Sequence, residues 1–297
     1  MLLQKGMDNM GTSSIFNGPV NPLLPADYND APSDSDDFSQ TNDGLDANTN
    51  SEQSETNENS NDQSGNLEHP VQPAYRWKDA KTEMTNYVKG KSSERGKVMN
   101  RYVSAAGGSK QISRLSSAGR NTAIGIGRLI QDFRNNGVEA TLETLQIDCV
   151  GKGAKAVLSE LVNAISQKAD LKEDIIARGA ASEAIAEMYK IVVENGGDIE
   201  ALRQIDEIAF RNILEIFMSE YIFRKAMNDL QSRFEKYEND PREAVKKEQE
   251  LKDYIKVKVE LRIREIRPET YDYKSRSIFN EIERLFVKCF QAFEDYI

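Results

Sequence analysis

The chain has 297 residues, with 39 Lys and Arg against 49 Asp and Glu, one His and two Cys. Its net charge of −10 averages two unlike parts: residues 1–72 hold 13 acidic side chains and one basic (Lys5), whereas residues 73–297 carry only +2. Cys149 and Cys289 are too few for a disulfide framework or a thiolate metal site. A single histidine, His69, in a polar stretch leaves no His-based triad or multi-His site, so neither a metal nor a cofactor is expected.

The opening residues, Met1 to Gly6, turn polar too quickly for a signal peptide. No apolar run approaches the roughly 18–20 residues needed to span a bilayer. The expectation is a cytoplasmic protein with no membrane partner. Residues 10–25 read Met10-Gly11-Thr12-Ser13-Ser14-Ile15-Phe16-Asn17-Gly18-Pro19-Val20-Asn21-Pro22-Leu23-Leu24-Pro25. Three prolines among them forbid a helix or a central strand. Ile15, Phe16, Val20, Leu23 and Leu24 nevertheless supply apolar anchors, so residues 1–25 read as an extended peptide offered to a partner. Residues 26–69 contain no Lys or Arg and are almost exclusively acidic, amide and hydroxyl side chains. Such a stretch has too little apolar surface to offset the entropy of ordering, and its like charges repel. Residues 26–72 are therefore expected to be a disordered acidic linker.

From residue 73 onward the pattern is helical. Trp77, Ala80, Met84, Tyr87 and Val88 share one face of a helix from Arg76 to Lys89, ended by Gly90. A second helix opens at Ser92-Ser93-Glu94 and stops at Gly107-Gly108. A third stretch runs from Ser109, with Gly interruptions at 119, 125 and 127, to Asn135-Asn136-Gly137. Helices are expected at 138–146, 153–167 and 171–194. One long amphipathic run then extends from Ile199 toward Tyr237. Ile278, Ile282, Leu285, Phe286, Cys289, Phe290 and Phe293 form a final apolar stripe that makes Cys289 a core residue.

Residues 255–264 alternate strictly between apolar and charged, which is a strand signature. No second alternating segment exists to pair with it, and Lys, Glu, Arg and Leu favour helix, so helix is the preferred reading there. A strand completed by a partner is the exception left open. The fold class expected is all-α: an irregular helical bundle over 73–297, with 73–136 and 137–297 as possible sub-lobes, preceded by the long acidic tail.

Residues 76–134 hold 13 basic and four acidic side chains, a local +9, against −7 for 135–297. The basic candidates for anion or partner binding are Arg76, Lys78, Lys81, Arg95, Lys97, Arg101, Lys110, Arg114 and Arg120. Lysine and arginine beside Gly/Ser-rich helix starts suit a phosphate-bearing ligand. Gly90–Lys97 lacks the order of a phosphate-binding loop, and Gly125-Ile126-Gly127 lacks the third glycine of a dinucleotide site. Three readings stay open for this segment: contact with nucleic acid or an acidic protein face, neutralisation of the chain's own acidic tail, or an ordinary solvated surface. No catalytic constellation is evident. Ser109-Lys110 is adjacency rather than geometry, and Glu183 and Glu187 read as a solvated face.

Several of these segments resemble a known family. Met10-Gly11-Thr12-Ser13-Ser14, Gly18-Pro19 and Pro22-Leu23-Leu24-Pro25 resemble the N-terminus of QatB proteins, components of the four-part Qat anti-phage defence system of bacteria. Tyr75-Arg76-Trp77-Lys78-Asp79-Ala80-Lys81, Arg95-Gly96, Arg101-Tyr102-Val103-Ser104, Gly107-Gly108 and Ser117-Ala118-Gly119-Arg120 resemble the same family. The resemblance implies a non-enzymatic role beside an ATPase, a QueC-like 7-deazaguanine enzyme and a TatD-like nuclease. It implies further that Gly11 is a candidate for N-terminal deazaguanine attachment by the QueC-like partner. Thr12, Ser13, Ser14, Phe16, Gly18, Pro19, Pro22, Leu23, Leu24 and Pro25 would then form the docking peptide. A free Gly11 amine requires translation from Met10 with removal of that methionine, or cleavage after it. Docking without modification stays open, and myristoylation fits less well because Ile15 stands where that motif needs Ser or Thr.

Overall fold

The computed structural model describes residues 74–149, 151–166, 171–237 and 241–295. The extended peptide expected at 1–25 and the disordered linker expected at 26–72 lie outside them. Among the described residues every regular element is helical: α1 (Ala74–Val88), α2 (Arg95–Ala105), α3 (Ser109–Arg114), α4 (Ser117–Asn136), α5 (Val138–Thr144), α6 (Ala154–Ile165), α7 (Lys172–Glu194), α8 (Glu207–Tyr237), α9 (Pro241–Ile266) and α10 (Ile278–Glu294). Two 3-10 turns, Ile199–Gln204 and Pro268–Thr270, complete the set. The all-α expectation holds.

Apolar residues three and four apart give each long helix one face to bury, and α8 takes the middle of the bundle. It packs along α7 on one side and α9 on the other, and also meets α1 and α4. α10 closes the structure against α2, α3, α4 and α9. Its stripe Ile278, Ile282, Leu285, Phe286, Cys289, Phe290 and Phe293 is entirely buried. Burial pushes the Cys289 thiol up to about 12, the signature of an inert core cysteine rather than a nucleophile.

The stretch from Ser109 to Asn136, expected to be interrupted at glycines, is two helices, and the break is not at a glycine. It falls at Leu115-Ser116, where the Ser116 hydroxyl donates back to the Ile112 carbonyl at 2.7 Å and the chain turns into α4. The glycines expected as interruptions lie inside α4 and allow close approach instead. A Cβ at Gly119 would stand 2.5 Å from the Tyr221 ring of α8, and one at Gly127 would stand 2.1 Å from the edge of the Tyr273 ring. The Tyr271–Tyr273 segment is clasped to that helix. Arg128 Nε donates to the Tyr273 carbonyl at 2.9 Å, Gln131 Nε2 donates to the Tyr271 carbonyl at 2.7 Å, and the Tyr273 N–H donates to Gln131 Oε1 at 3.1 Å.

The run expected from Ile199 to Tyr237 is likewise divided. Ile205 adopts φ −54°, ψ 109°, which ends the first 3-10 turn. Asp206 Oδ1 then accepts the Ala209 N–H at 2.7 Å and starts α8 afresh. Residues 255–264 are helical, as preferred. Their alternation is resolved by geometry: Ile255, Val259 and Ile263 are buried, while Val257 and Leu261, each 55% exposed, lie across the helix. Two apolar stripes on opposite faces of a helix imitate the period of a strand.

A buried ionic cluster ties α2, α7 and α8 together. Lys225 of α8, 2% exposed, pairs with Glu173 of α7 at 2.5 Å. The Tyr221 hydroxyl also donates to Glu173, and the Tyr102 hydroxyl of α2 donates to Asp229 at 2.9 Å. Burial raises Asp229 above the usual carboxylate range, partly countered by Lys225, Asn228 and Tyr102. Largely buried, with Glu173 at its edge, the cluster fixes helix register.

Candidate anion-binding groove

Glycine geometry sets where α3 begins. Gly107 and Gly108 have φ of +93° and +88°, and the Gly108 N–H returns to the Val103 carbonyl at 2.9 Å, closing α2. Glu294, at the end of α10, accepts the Ser109 N–H at 2.7 Å and so caps α3. The same region is held to α2 by Asn100, whose side-chain amide donates to the carbonyls of Phe293 and Glu294 at 3.2 and 3.0 Å. In its middle, the Ser113 hydroxyl of α3 donates to the Glu283 carbonyl at 3.2 Å. These contacts lock α3 alongside α10.

Between them lies an open groove of about 450 Å³. Lys110 and Arg114 line it from α3, and Arg284 and Lys288 line it from α10. Asn280, Glu283 and Val287 complete the lining. Glu283 is already engaged, by Arg120 at 3.5 Å. None of the four groove cations forms an ion pair among the described residues. Four cations against one carboxylate leave the groove positive among the described residues, which suits a polyanionic ligand.

The nine basic residues singled out from sequence divide once folded. Lys110 and Arg114 stand in the groove, and Lys78 and Arg101 are exposed elsewhere. Arg95 pairs with Glu250 of α9 at 3.5 Å, Lys97 with Glu83 of α1 at 3.3 Å, and Arg120 with Glu283. Arg76 is half-buried, and Lys81 is buried at 6% exposure. The local +9 is thus partly spent on joining α2 and α4 to their neighbours. Gly11, Thr12, Ser13, Ser14, Phe16, Gly18, Pro19, Pro22, Leu23, Leu24 and Pro25 lie outside the described residues.

Sequence reasoning missed Arg284 and Lys288. The signal was present: they are one helical turn apart on the face of α10 opposite its apolar stripe. Among the described residues no group of three or more His, Cys, Asp or Glu side chains could hold a metal ion, and no helix is long and apolar enough to cross a membrane.

Residues 107–293 match the profile of a family described as Qat anti-phage system associated protein QatB. The match begins at Gly107 and takes in α3 to nearly the end of α10, including both walls of the groove. No curated protein and no solved structure matches the chain. With well over half its length matched, the chain belongs to the QatB family of Qat anti-phage system proteins.

Proposed function

We propose that this defence component is a non-enzymatic adaptor whose helical body is a scaffold and whose segment Gly11–Pro25 is presented to a QueC-like partner. One observation supports the reading above the others. The bundle starts at Ala74 and buries its own core, while a separate set of apolar residues, Ile15, Phe16, Val20, Leu23 and Leu24, stands far upstream among prolines. Those anchors find their use in a partner groove. The Qat ATPase and the TatD-like nuclease are the other expected neighbours, met through the body.

Gly11 is the candidate modification site within that segment. Its α-amine, once exposed, has a pKa of about 7.7–8.0 and is partly unprotonated at neutral pH, as a nucleophile must be. Thr12, Ser13 and Ser14 are small enough to follow it into a narrow site. Intact-mass spectrometry of protein co-expressed with the QueC-like partner tests this. The expected result is a mass increment of one deazaguanine unit that maps to the peptide beginning at Gly11. An unmodified N-terminus while defence is active would remove the modification and leave docking alone.

The groove supports a second reading, in which the body holds nucleic acid for the TatD-like nuclease. Four cations at a groove would contribute a salt-sensitive affinity, the log of which falls by roughly 0.7–0.9 per neutralised phosphate for each log of salt. Charge reversal at Arg114 and Arg284 should weaken oligonucleotide binding at least tenfold. Equal binding by parent and variant rules this reading out.

A further inference from the structure

We propose that the groove between α3 and α10 is occupied in cis by the chain's own acidic segment, the carboxylates between Asp27 and Glu68. Charge complementarity is the first argument. Residues 26–69 carry 12 acidic side chains and no basic one. Lys110, Arg114, Arg284 and Lys288 converge on a groove whose single carboxylate, Glu283, is already held by Arg120. Glu294, at the end of α10, is engaged by the Ser109 N–H.

Connectivity is the second argument. The acidic segment joins the body at α1, which packs on α2, and α2 in turn packs on both α3 and α10. The carboxylates stand between five and 46 residues ahead of Pro73. A coil of those lengths spans about 12 to 37 Å. A body of this size has a radius of gyration of about 17 Å, so the carboxylates farther from Pro73 reach a large part of its surface. Tethering at such lengths gives an effective concentration on the order of millimolar, which lets many weak carboxylate contacts outcompete a dilute external anion. The groove would then be screened until another polyanion, or a partner that takes hold of the N-terminal segment, draws the acidic stretch away. The inference rests on the charge of the groove and not on the identity of any external ligand.

Zero-length carbodiimide cross-linking of the full chain, followed by peptide mapping of the monomer band, tests it. At about 20 mM salt the ammonium groups of Lys110 and Lys288 should form amide links to carboxylates between Asp27 and Glu68. These links should drop several-fold at about 0.5 M salt, where the screening length shrinks below about 5 Å. Lys155 and Lys172, exposed on α6 and α7, serve as controls and should link at least fivefold less. A chain with the acids of 26–69 changed to Asn and Gln should bind an oligonucleotide about tenfold tighter than the parent if the groove takes nucleic acid at all. Absence of links from Lys110 and Lys288, links no more frequent than at Lys155 and Lys172, or links confined to dimers would overturn the cis contact. Links without any oligonucleotide binding would sustain it while ending the nucleic-acid reading.

Discussion

Gly127 shows how a residue read as a helix breaker can be a packing requirement. In Gly127→Ala the new methyl meets the Tyr273 ring, which is buried and fastened by its hydroxyl to the Pro268 carbonyl at 3.1 Å. Overpacking of this kind costs about 1–3 kcal/mol, more than the roughly 1 kcal/mol of helix propensity gained. Urea unfolding should therefore show Gly127→Ala to be less stable than the parent, and much of the loss should disappear in a Tyr273→Leu background. A loss unchanged by the second substitution would mean the ring is not the obstacle. Asp229 and Glu269 give opposite pH signatures. Asp229 is raised by burial, so folding favours its protonated form, and its contribution is lost as pH rises through the folded value. Asp229→Asn should therefore gain stability relative to the parent as pH rises from about 4 toward 7. Burial would raise Glu269 too, but its hydrogen bonds from Arg211, at 3.0 and 2.5 Å, hold it below the usual range. Its contribution is present above the ordinary carboxylate range and lost as pH falls, so Glu269→Gln should be most harmful near neutrality. Thermal melts across pH measure both trends.

The helices themselves were largely legible in the sequence, because most carry one apolar stripe and several, such as α2 and α4, stop at glycine. α10 is the clearest case, and its stripe is buried as its spacing predicts. What escaped depends on tertiary partners. The α3–α4 break is made by a serine hydroxyl turning back on the helix, a choice that Ser116 advertises no more than Ser113 does. α9 misleads for a different reason, since its second apolar stripe stays at the surface. In a strand, residues 255, 257 and 259 would share one face, whereas in α9 Val257 and Val259 lie on different sides. Val259→Asp should cost more than about 3 kcal/mol, while Val257→Asp should stay within about 0.5 kcal/mol of the parent. Equal losses in denaturant titrations would contradict the helix. The groove was half legible: Lys110 and Arg114 stood out in a basic run, but Arg284 and Lys288 sit in an acidic half whose average charge conceals them.

For the whole molecule, the net charge of −10 describes no single surface. It combines an acidic segment, ion pairs such as Arg95–Glu250 that join helices within the body, and a groove whose four cations have no ion-pair partner among the described residues. In the proposed function the two ends of the chain divide the work, with Gly11–Pro25 engaging a partner and the QatB-family body providing the platform. Co-purification of the QueC-like partner with the full chain and with a chain lacking residues 11–25 tests that division most directly. The account predicts that the partner is retained by the full chain and lost on deletion, while far-UV circular dichroism and the melting temperature of the body stay unchanged. Retention of the partner by the deleted chain at undiminished yield would contradict it.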